Sequence, residues 1–342
     1  MSVSTNRTWR ILEFYSGIGG MHYACELAAV MFKVVFAVDI NDSANTVYSY
    51  NFPEVPQQAR NIGAISAEEL NKLKPEVLMM SPPCQPFTRV GLKLDTEDPR
   101  CSSFLHLLNV IPHVASLEYL LMENVVGFET SAMREAFVET LEKSGYHFRE
   151  FILSPEVVGI PNCRNRYYLI ARKSCDFAFG SRNEILRSFP NNESLIKSRR
   201  GDTLECYLED LKEEDLDRYL LPDQTLVKHW RVLDIRQRCD KSSCCFTKAY
   251  SHYAEGTGSV LQHDQSQSFH QQFANYAASG DVGELKKLKL RYFTPREVAS
   301  LMGFPPHFDF PSSVALKTKY RLLGNSLNAF VVANLLLLLT TE

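Results

Sequence analysis

Cys84 stands in a stretch that could deliver a nucleophile to a reaction. The apolar run Glu76–Met80 is typical of a strand buried in a sheet, and Pro82 and Pro83 end it because neither can donate to a strand ladder. A cysteine on a stiff turn after such a strand can act as a thiolate nucleophile. A free cysteine is as often a small buried apolar residue, so this stretch alone leaves both interpretations open.

Two acidic residues follow two other predicted strands. Asp39 comes after the apolar run Lys33–Val38, and Glu123 comes after Tyr119–Met122. Ligands collect at the carboxyl ends of the strands in a doubly wound sheet, so we expect Asp39, Cys84 and Glu123 along one edge. A carboxylate buried there needs a partner or a chemical task. For Asp39 the alternative is a role as the N-cap of the following helix.

A glycine-rich turn, Ser16–Gly20, separates the first predicted strand, Arg10–Tyr15, from a predicted helix. Strand, glycine turn and helix open a nucleotide-type α/β fold, and an acid about 20 residues later suits a ribose hydroxyl pair. The turn lacks the third glycine of the dinucleotide pattern. A ribose-bearing cofactor without a pyrophosphate, such as S-adenosylmethionine, therefore fits better than NAD.

Arg164 and Arg166 are one residue apart, so on a strand they point to the same side. Two arginines with that arrangement suit a phosphate or a carboxylate, and the alternative is a solvated pair. The polar stretch Thr88–Arg100 after Cys84 has no periodicity and is predicted to be a loop that acts as a lid.

Composition and cysteine content narrow the class of protein. The 342 residues are 45% hydrophobic and 23% charged, with a net charge of −3, which favours nucleic-acid binding on a local patch over binding by global charge. Nine cysteines without a Cys-x-x-Cys pair or a secretory signal indicate reduced thiols in cytoplasm or nucleus. Cys239, Cys244 and Cys245, with His252 and His263, lack the spacing of a zinc site, so no metal is expected.

The chain divides into a catalytic region and a second region of different composition. We predict a catalytic domain over residues 8–178, a smaller domain over 179–290 and a return to the first domain over 291–342. Within 179–290 core strands are hard to find, an acidic helix is predicted over Glu205–Arg218, and basic clusters occur at Lys197–Arg200 and Lys286–Arg291. The apolar stretch Leu335–Leu339 is far shorter than the roughly 20 residues of a membrane span and predicts a buried C-terminal helix.

Six motifs follow one another along the chain: Phe14–Gly20, Pro82–Gln85, Glu123–Val125, Arg164-x-Arg166, Thr294–Glu297 and Gly324–Ser326. With these motifs in this order, the chain resembles the cytosine-5 methyltransferases over essentially its whole length. Pro86, Cys245–Thr247 and Glu255–Ser259 resemble the branch that methylates transfer RNA, best known for an anticodon-loop cytosine of the aspartate tRNA. The implied fold is a Rossmann-like, doubly wound α/β sheet with a smaller target-recognition domain.

The resemblance also implies a cofactor and a mechanism. S-adenosyl-L-methionine is the implied cofactor, with S-adenosyl-L-homocysteine as product. Cys84 would add to C6 of cytosine, Glu123 would hydrogen-bond N3 and the exocyclic amine, and Arg164 and Arg166 would hold the base and its phosphate. Glu123 would need a raised pKa, which burial can supply. The cofactor pocket is implied to contain Phe14, Ile18, Gly19, Gly20, Asp39, Ile62, Gly63, Ser81, Asn325 and Ser326.

The implied partner is a transfer RNA, first of all the aspartate tRNA, with weak DNA binding as a secondary expectation. The protein is expected to be a monomer without membrane attachment, in the cytoplasm, the nucleus or both. Two other functions stay open from the sequence. One is a DNA cytosine-5 methyltransferase, and the other is a catalytically silent protein that binds S-adenosylmethionine and RNA. Cys245 is expected to pack rather than to react.

Overall fold

The structure, a computed structural model, describes residues 7–83, 102–190, 195–198 and 200–340. Cys84 and the predicted lid Thr88–Arg100 lie outside the described residues. Eight strands form one sheet in the order β3-β2-β1-β4-β5-β7-β6-β8. Their bounds are β1 Trp9–Phe14, β2 Phe32–Asp39, β3 Gln57–Ala59, β4 Val77–Met80, β5 Tyr119–Val125, β6 His147–Leu153, β7 Arg166–Arg172 and β8 Ile185–Leu186.

Neighbouring residues of the central strands pack into different cores on opposite faces of this sheet. In β4, Val77 and Met79 join one core while Leu78 and Met80 join the other. Because both faces are buried, β4 is apolar without interruption, which is why the sequence predicts it well. Strands β3, β2, β1, β4 and β5 run parallel, whereas β7 pairs antiparallel with both β5 and β6.

Helices cover both faces, which gives the predicted doubly wound α/β architecture. One core includes residues of α3, α4 and α5, and the other includes residues of α1, α2, α10, α11 and α12. The bounds are α1 Gly20–Leu27, α2 Asp42–Asn51, α3 Ala67–Leu73, α4 Ser102–Val110, α5 Ala132–Lys143, α6 Glu213–Leu216, α7 Asp223–His229, α8 Phe269–Ser279, α9 Val282–Lys286, α10 Pro295–Leu301, α11 Leu316–Asn325 and α12 Ala329–Thr340.

The final helix is a core helix of this sheet. By length and composition the helical stretch Leu316–Thr340 could cross a membrane, but 67% of its most apolar window is buried inside the molecule. The helix is interrupted between α11 and α12, and α12 contacts α1, β5 and β7. The sequence-based prediction of a buried helix here is correct.

The region 179–290 contains a second, three-stranded sheet that the sequence did not predict. Its strands are β9 Ile235–Arg236, β10 Val260–Gln262 and β11 Leu290–Tyr292, in the order β11-β10-β9. Strands of two or three residues are too short to have a recognisable periodicity. Since β8 joins the large sheet and β11 extends past residue 290, the exact domain boundaries stay a prediction.

The predicted acidic helix Glu205–Arg218 is wrong. The chain forms a 3₁₀ turn at Leu204–Tyr207 and then only the single-turn α6. Between them the backbone N–H of Glu209 donates to the Glu297 carboxylate at 3.0 Å. This tertiary bond uses a donor that a continuous helix would need for its own ladder, and it overrides the helix propensity of the sequence.

The basic cluster Lys286–Arg291 is largely neutralised by neighbours. Lys286 pairs with Asp223 at 3.2 Å, Lys287 with Glu284 at 2.6 Å and Lys289 with Glu213 at 2.9 Å. Side chains paired in this way are not a free phosphate-binding surface. The interpretation of this run as an ordinary solvated face is therefore favoured over a nucleic-acid contact.

Candidate active site

A cleft of about 330 Å³ opens at one edge of the large sheet. Its walls come from the ends of β2 and β5, the segments after β1 and β4, the start of β7 and the end of α11. The predicted convergence of Asp39 and Glu123 at one sheet edge is therefore present. The predicted site residues that line the cleft are Ile18, Gly20, Asp39, Ser81, Glu123, Arg164, Arg166, Asn325 and Ser326.

Four other residues predicted for the cofactor pocket are not among the described residues that line this cleft. Phe14 and Ile62 are buried in the core on one face of the sheet. Gly19 has a φ of 87° at the start of α1, and a Cβ there would overlap the ring of a neighbouring phenylalanine. Gly63 donates its backbone N–H to the side chain of Asn61 at 2.9 Å. The contact of these four residues with a cofactor stays a prediction.

The carboxylate of Asp39 ties the end of β2 to the glycine turn. Its Oδ2 accepts from the backbone N–H of Gly17 at 2.9 Å, and its Oδ1 accepts from that of Asn41 at 2.8 Å. Burial raises the pKa of Asp39, and these backbone donors oppose the rise. The N-cap of α2 is Asn41, so the alternative of Asp39 as the helix cap is wrong.

Ser81 fixes the chain at the point where it leaves β4. Its Oγ donates to the backbone carbonyl of Tyr15 at 3.1 Å, which joins the ends of β4 and β1. Pro82 and Pro83 then line the cleft. The chain thus approaches Cys84 along the cleft wall, although Cys84 itself lies outside the described residues.

Glu123 and Arg166 form a buried ion pair inside the cleft. Arg166 Nε lies 3.4 Å from Glu123 Oε1, a contact that the antiparallel pairing of β5 with β7 allows. Burial raises the pKa of Glu123, while the charges of Arg166 and Arg164 pull it down, and the net direction is upward. A carboxyl group in this setting can exist in its protonated form more readily than an exposed one.

Arg164 differs from the role predicted for it. It precedes β7, is buried, and donates to the backbone carbonyls of Phe246 at 3.0 Å, Gly324 at 3.1 Å and Ser326. Arg166 begins β7 as the sequence predicts, and Arg164 lies in the segment before that strand. The guanidinium of Arg164 joins three distant segments of the chain at the cleft wall, so most of its donors are already used.

Residues 9–337 match the model of the family described as C-5 cytosine-specific DNA methylase. The chain belongs to this family. The membership confirms the resemblance on which the sequence-based assignment rests.

Curated members of the family are similar to this chain over nearly its full length. The tRNA (cytosine(38)-C(5))-methyltransferase of Homo sapiens is 40% identical over 96% of this chain and 98% of its own. The protein of the same name from Schizosaccharomyces pombe is 41% identical over 98% of each. A Dictyostelium discoideum protein named DNA (cytosine-5)-methyltransferase is 38% identical over 97% of this chain and 94% of its own.

Solved structures of the family share the fold. A mutant form of the Spodoptera frugiperda DNMT2 superposes with a TM-score of 0.88 at 40% identity, covering 98% of this chain and 100% of that one. The S. pombe Dnmt2 methyltransferase gives 0.82 at 38% identity, covering 97% and 98%. The Rossmann-like methyltransferase fold predicted from the sequence is thereby confirmed.

Cys245 is a residue of this family member whose position the sequence did not predict. Its Sγ lies 3.3 Å from Arg164 Nη1 and 3.7 Å from Arg166 Nη2. Burial acts to raise the pKa of the Cys245 thiol, but the two guanidinium groups outweigh it and the net direction is downward. Cys245 therefore lies against the site arginines rather than among apolar side chains alone.

Two further cleft residues had gone unrecognised in the sequence. Ile40 is 73% exposed and lines the cleft directly after Asp39. Its place in the sequence, an apolar residue between an acid and a helix cap, could have marked it as a cleft residue. Lys248 is exposed at the cleft, three positions after Cys245. Nothing in its local pattern marks it, because only the packing of distant segments brings it there.

Proposed function

We propose that this chain transfers a methyl group from S-adenosylmethionine to C5 of an anticodon-loop cytosine in a transfer RNA, first of all the aspartate tRNA. The observation that carries the proposal is the buried carboxyl of Glu123, held against Arg166 in the cleft that Pro82 and Pro83 lead into. Relatives about 40% identical over 96% of the chain carry the name tRNA (cytosine(38)-C(5))-methyltransferase, which supports RNA as the substrate.

The cleft residues fit S-adenosylmethionine. Asp39 offers a carboxylate suited to a ribose hydroxyl pair, and the neighbouring Ile40 offers an exposed apolar surface for a flat heterocycle. Ser16 lines the cleft, and its Oγ is buried without a hydrogen-bond partner in the described part of the chain. A polar ligand bound in the cleft would supply that partner. When bound, the cofactor supplies an electrophilic methyl group on a sulfonium.

Residues of the chain then make C5 of cytosine nucleophilic. C5 of cytosine is a poor nucleophile, and addition of the Cys84 thiolate to C6 turns the ring into an enamine whose C5 can attack a methyl group. Glu123 donates its proton to N3 as negative charge develops there, and Arg166 orients that carboxyl. Solvent water then takes the proton from C5, the Cys84 thiolate is expelled from C6, and N3 returns its proton to Glu123, which frees the methylated base.

An anticodon loop suits this site for an energetic reason. A cytosine that is already unpaired and partly unstacked costs less to bring into a cleft than one in a duplex. Sequence-specific RNA recognition also targets such unpaired loops. A protein with a net charge of −3 is better matched to a short loop than to a long duplex.

The test is bisulfite sequencing of transfer RNA after incubation with the protein and S-adenosylmethionine. The wild type is expected to protect one anticodon-loop cytosine, and Cys84→Ala is expected to protect none, because no adduct at C6 can form. The matched control is Cys175→Ala, which removes an exposed cysteine after β7 and should leave protection unchanged. Protection by Cys84→Ala at the wild-type level would refute the covalent route.

The second candidate, a DNA methyltransferase, is favoured by the relative from Dictyostelium discoideum that carries this name. Methyl transfer to transfer RNA and to duplex DNA, measured side by side, separates the two. A clear preference for DNA would overturn our proposal. An RNA containing 5-fluorocytosine should trap a covalent complex, and cofactor binding without trapping would indicate a silent binding protein.

A further inference from the structure

A loop of residues 245–259 runs from the site arginines to the start of β10, and two buried aromatic side chains hold it. Phe246 and Tyr250 pack edge to face with ring centroids 5.0 Å apart. Tyr250 Oη donates to the carbonyl of Ser259 at 2.6 Å and accepts from the backbone N–H of Phe293 at 2.9 Å. The 245–259 loop is therefore anchored to the body of the molecule at its base.

The backbone of the 245–259 loop also closes on itself. Thr247 donates its N–H to the carbonyl of Thr257 at 2.8 Å, and Tyr253 donates its N–H to the carbonyl of Ala249 at 2.9 Å. Ser251 adopts a φ of 64°, a left-handed conformation that a non-glycine residue holds only when its surroundings require it. The tip that carries Tyr253 is consequently a defined structure and not a loose connection.

The anchored tip presents Tyr253 to solvent. This side chain is 67% exposed, and its ring contact in the described part of the chain is an edge contact with His252 at 6.2 Å between centroids. No described ring stacks on either face of it. A single exposed tyrosine is ordinary on a protein surface. Tyr253 is different, because a strained, hydrogen-bonded loop tip holds it and the same loop reaches the cleft at Lys248. A planar ligand group could stack on its ring.

The same loop connects this ring to the cleft. Lys248 lines the cleft, has no acidic partner among the described residues, and lies next to Ala249, whose carbonyl accepts from Tyr253. A Cβ added at Gly324 would overlap the backbone of Thr247 and Lys248, so the loop sits tightly against the end of α11. A cation at the cleft and an exposed aromatic ring on the same short loop are elements that bind single-stranded nucleic acid.

We propose that Tyr253 is a stacking platform for an unpaired base that flanks the target cytosine. The inference rests on the proposed function, because it needs an RNA loop whose cytosine enters the cleft. A base within a duplex has both faces covered by its neighbours and cannot stack on the ring. Tyr253 therefore contributes to the selection of an unpaired loop over a duplex, with Lys248 in contact with the adjoining phosphate.

The first measurement is steady-state methylation of transfer RNA by Tyr253→Ala and Tyr253→Phe. Loss of one base–aromatic stack is expected to raise KM about 5- to 150-fold with kcat within about twofold, and phenylalanine should restore KM because it keeps the ring. Tyr50→Ala is the matched control, since Tyr50 is 56% exposed on α2 and lines no part of the cleft. Equal KM values for wild type and Tyr253→Ala would overturn the proposal.

The second measurement does not depend on methyl transfer. The anticodon stem-loop carries 2-aminopurine at one position next to the target cytosine, and its fluorescence should be quenched by wild type and Tyr253→Phe but not by Tyr253→Ala. Quenching that depends on Tyr253 without methylation would refute the proposed function and keep the stacking site. Methylation with identical quenching by all three proteins would keep the function and refute the stacking site.

Discussion

Glu123 combines deep burial with two nearby guanidinium groups, and this setting decides what its carboxyl can do. A carboxylate without a counter-charge would be too costly in this cleft, and one with a perfect ion pair would never hold a proton near neutral pH. Arg166 Nε lies 3.4 Å from Glu123 Oε1, which is close enough to orient the carboxyl. The pKa of Glu123 nevertheless remains above its ordinary value. Burial thus favours the protonated form of Glu123 more than exposure to solvent would.

We expect Glu123→Gln to lower kcat by about 100- to 10,000-fold, the usual contribution of a positioned general acid. Glutamine keeps the shape of the side chain but has no proton to give to N3. Binding of S-adenosylmethionine, measured by calorimetry, should change by less than about threefold. A variant with a near wild-type kcat would show that Glu123 has a structural role only.

A pH-dependent contribution to stability is expected from Glu13, which lies in β1 next to the pocket wall. Burial raises its pKa from 4.5 to about 8, although a hydrogen bond from Tyr48 opposes the rise. The unfolded chain releases this proton near the ordinary value and the folded chain near the raised one, so the free energy of unfolding falls as pH rises between them. The glutamine of Glu13→Gln has no titrating proton, so its free energy of unfolding does not decrease in this way.

Urea denaturation of wild type and Glu13→Gln at pH 5, 6.5 and 8 measures this effect. The free energy of unfolding of Glu13→Gln should increase relative to that of the wild type as pH rises. The neighbouring His22, whose pKa burial lowers to about 4, is present in both proteins, so its opposite pH dependence largely cancels. A difference that does not change with pH would contradict the raised pKa of Glu13.

At the scale of elements, Arg164 connects the segment before β7, the 245–259 loop and the end of α11. We expect Arg164→Lys to destabilise the fold by about 3 kcal/mol or more. The ammonium group of lysine cannot reproduce the planar, forked set of guanidinium donors, so at least two charge-assisted hydrogen bonds are lost. Cofactor affinity should fall as well, since Gly324 and Ser326 line the cleft.

Arg166→Lys is the matched comparison, because Arg166 contacts Glu123, Cys245 Sγ and the carbonyl of the adjacent Asn165 but donates to no distant backbone carbonyl among the described residues. Its main effect should be on kcat, with a smaller change in the urea midpoint. If both lysine variants lose the same amount of stability, the connecting role of Arg164 is refuted. Urea unfolding and calorimetry of cofactor binding supply the two readouts.

Elements that follow local rules were predictable from the sequence, and elements that depend on distant contacts were not. Strands such as β4 are apolar throughout because both faces of the sheet are covered, and the acids at the ends of β2 and β5 could be placed at one edge from topology alone. The carbonyl partners of Arg164 come from 82 to 162 residues away along the chain. No local pattern indicates such partners.

At the scale of the whole molecule, a buried ion pair joins the three-stranded sheet to the large core. Arg291 of β11 donates to Glu297 of α10 at 2.7 and 2.8 Å, and both side chains are completely buried. Glu297 also accepts from the backbone of Glu209 and, in the capping box of α10, from that of Thr294. Four hydrogen bonds thus converge on one carboxylate between the two regions.

We expect Glu297→Gln to destabilise the protein by about 3–5 kcal/mol, because it leaves the Arg291 charge buried without a partner. The double variant Arg291→Met/Glu297→Leu should lose less stability than the sum of the losses in Arg291→Met and Glu297→Leu, since it removes both charges together. Thermal and urea unfolding provide the measurement. Strictly additive losses would contradict the importance of the pair.

The contact of α12 with α1, β5 and β7 has a consequence for synthesis of the chain. Strands β1 to β7 of the large sheet leave the ribosome before α12, and at ~5–20 residues per second the delay after β7 is roughly 10–30 s. During that interval the part of this face that α12 covers in the folded protein stays exposed, although α1 and α2 on the same face have already emerged. We therefore expect the growing chain to be most prone to aggregation before α12 emerges.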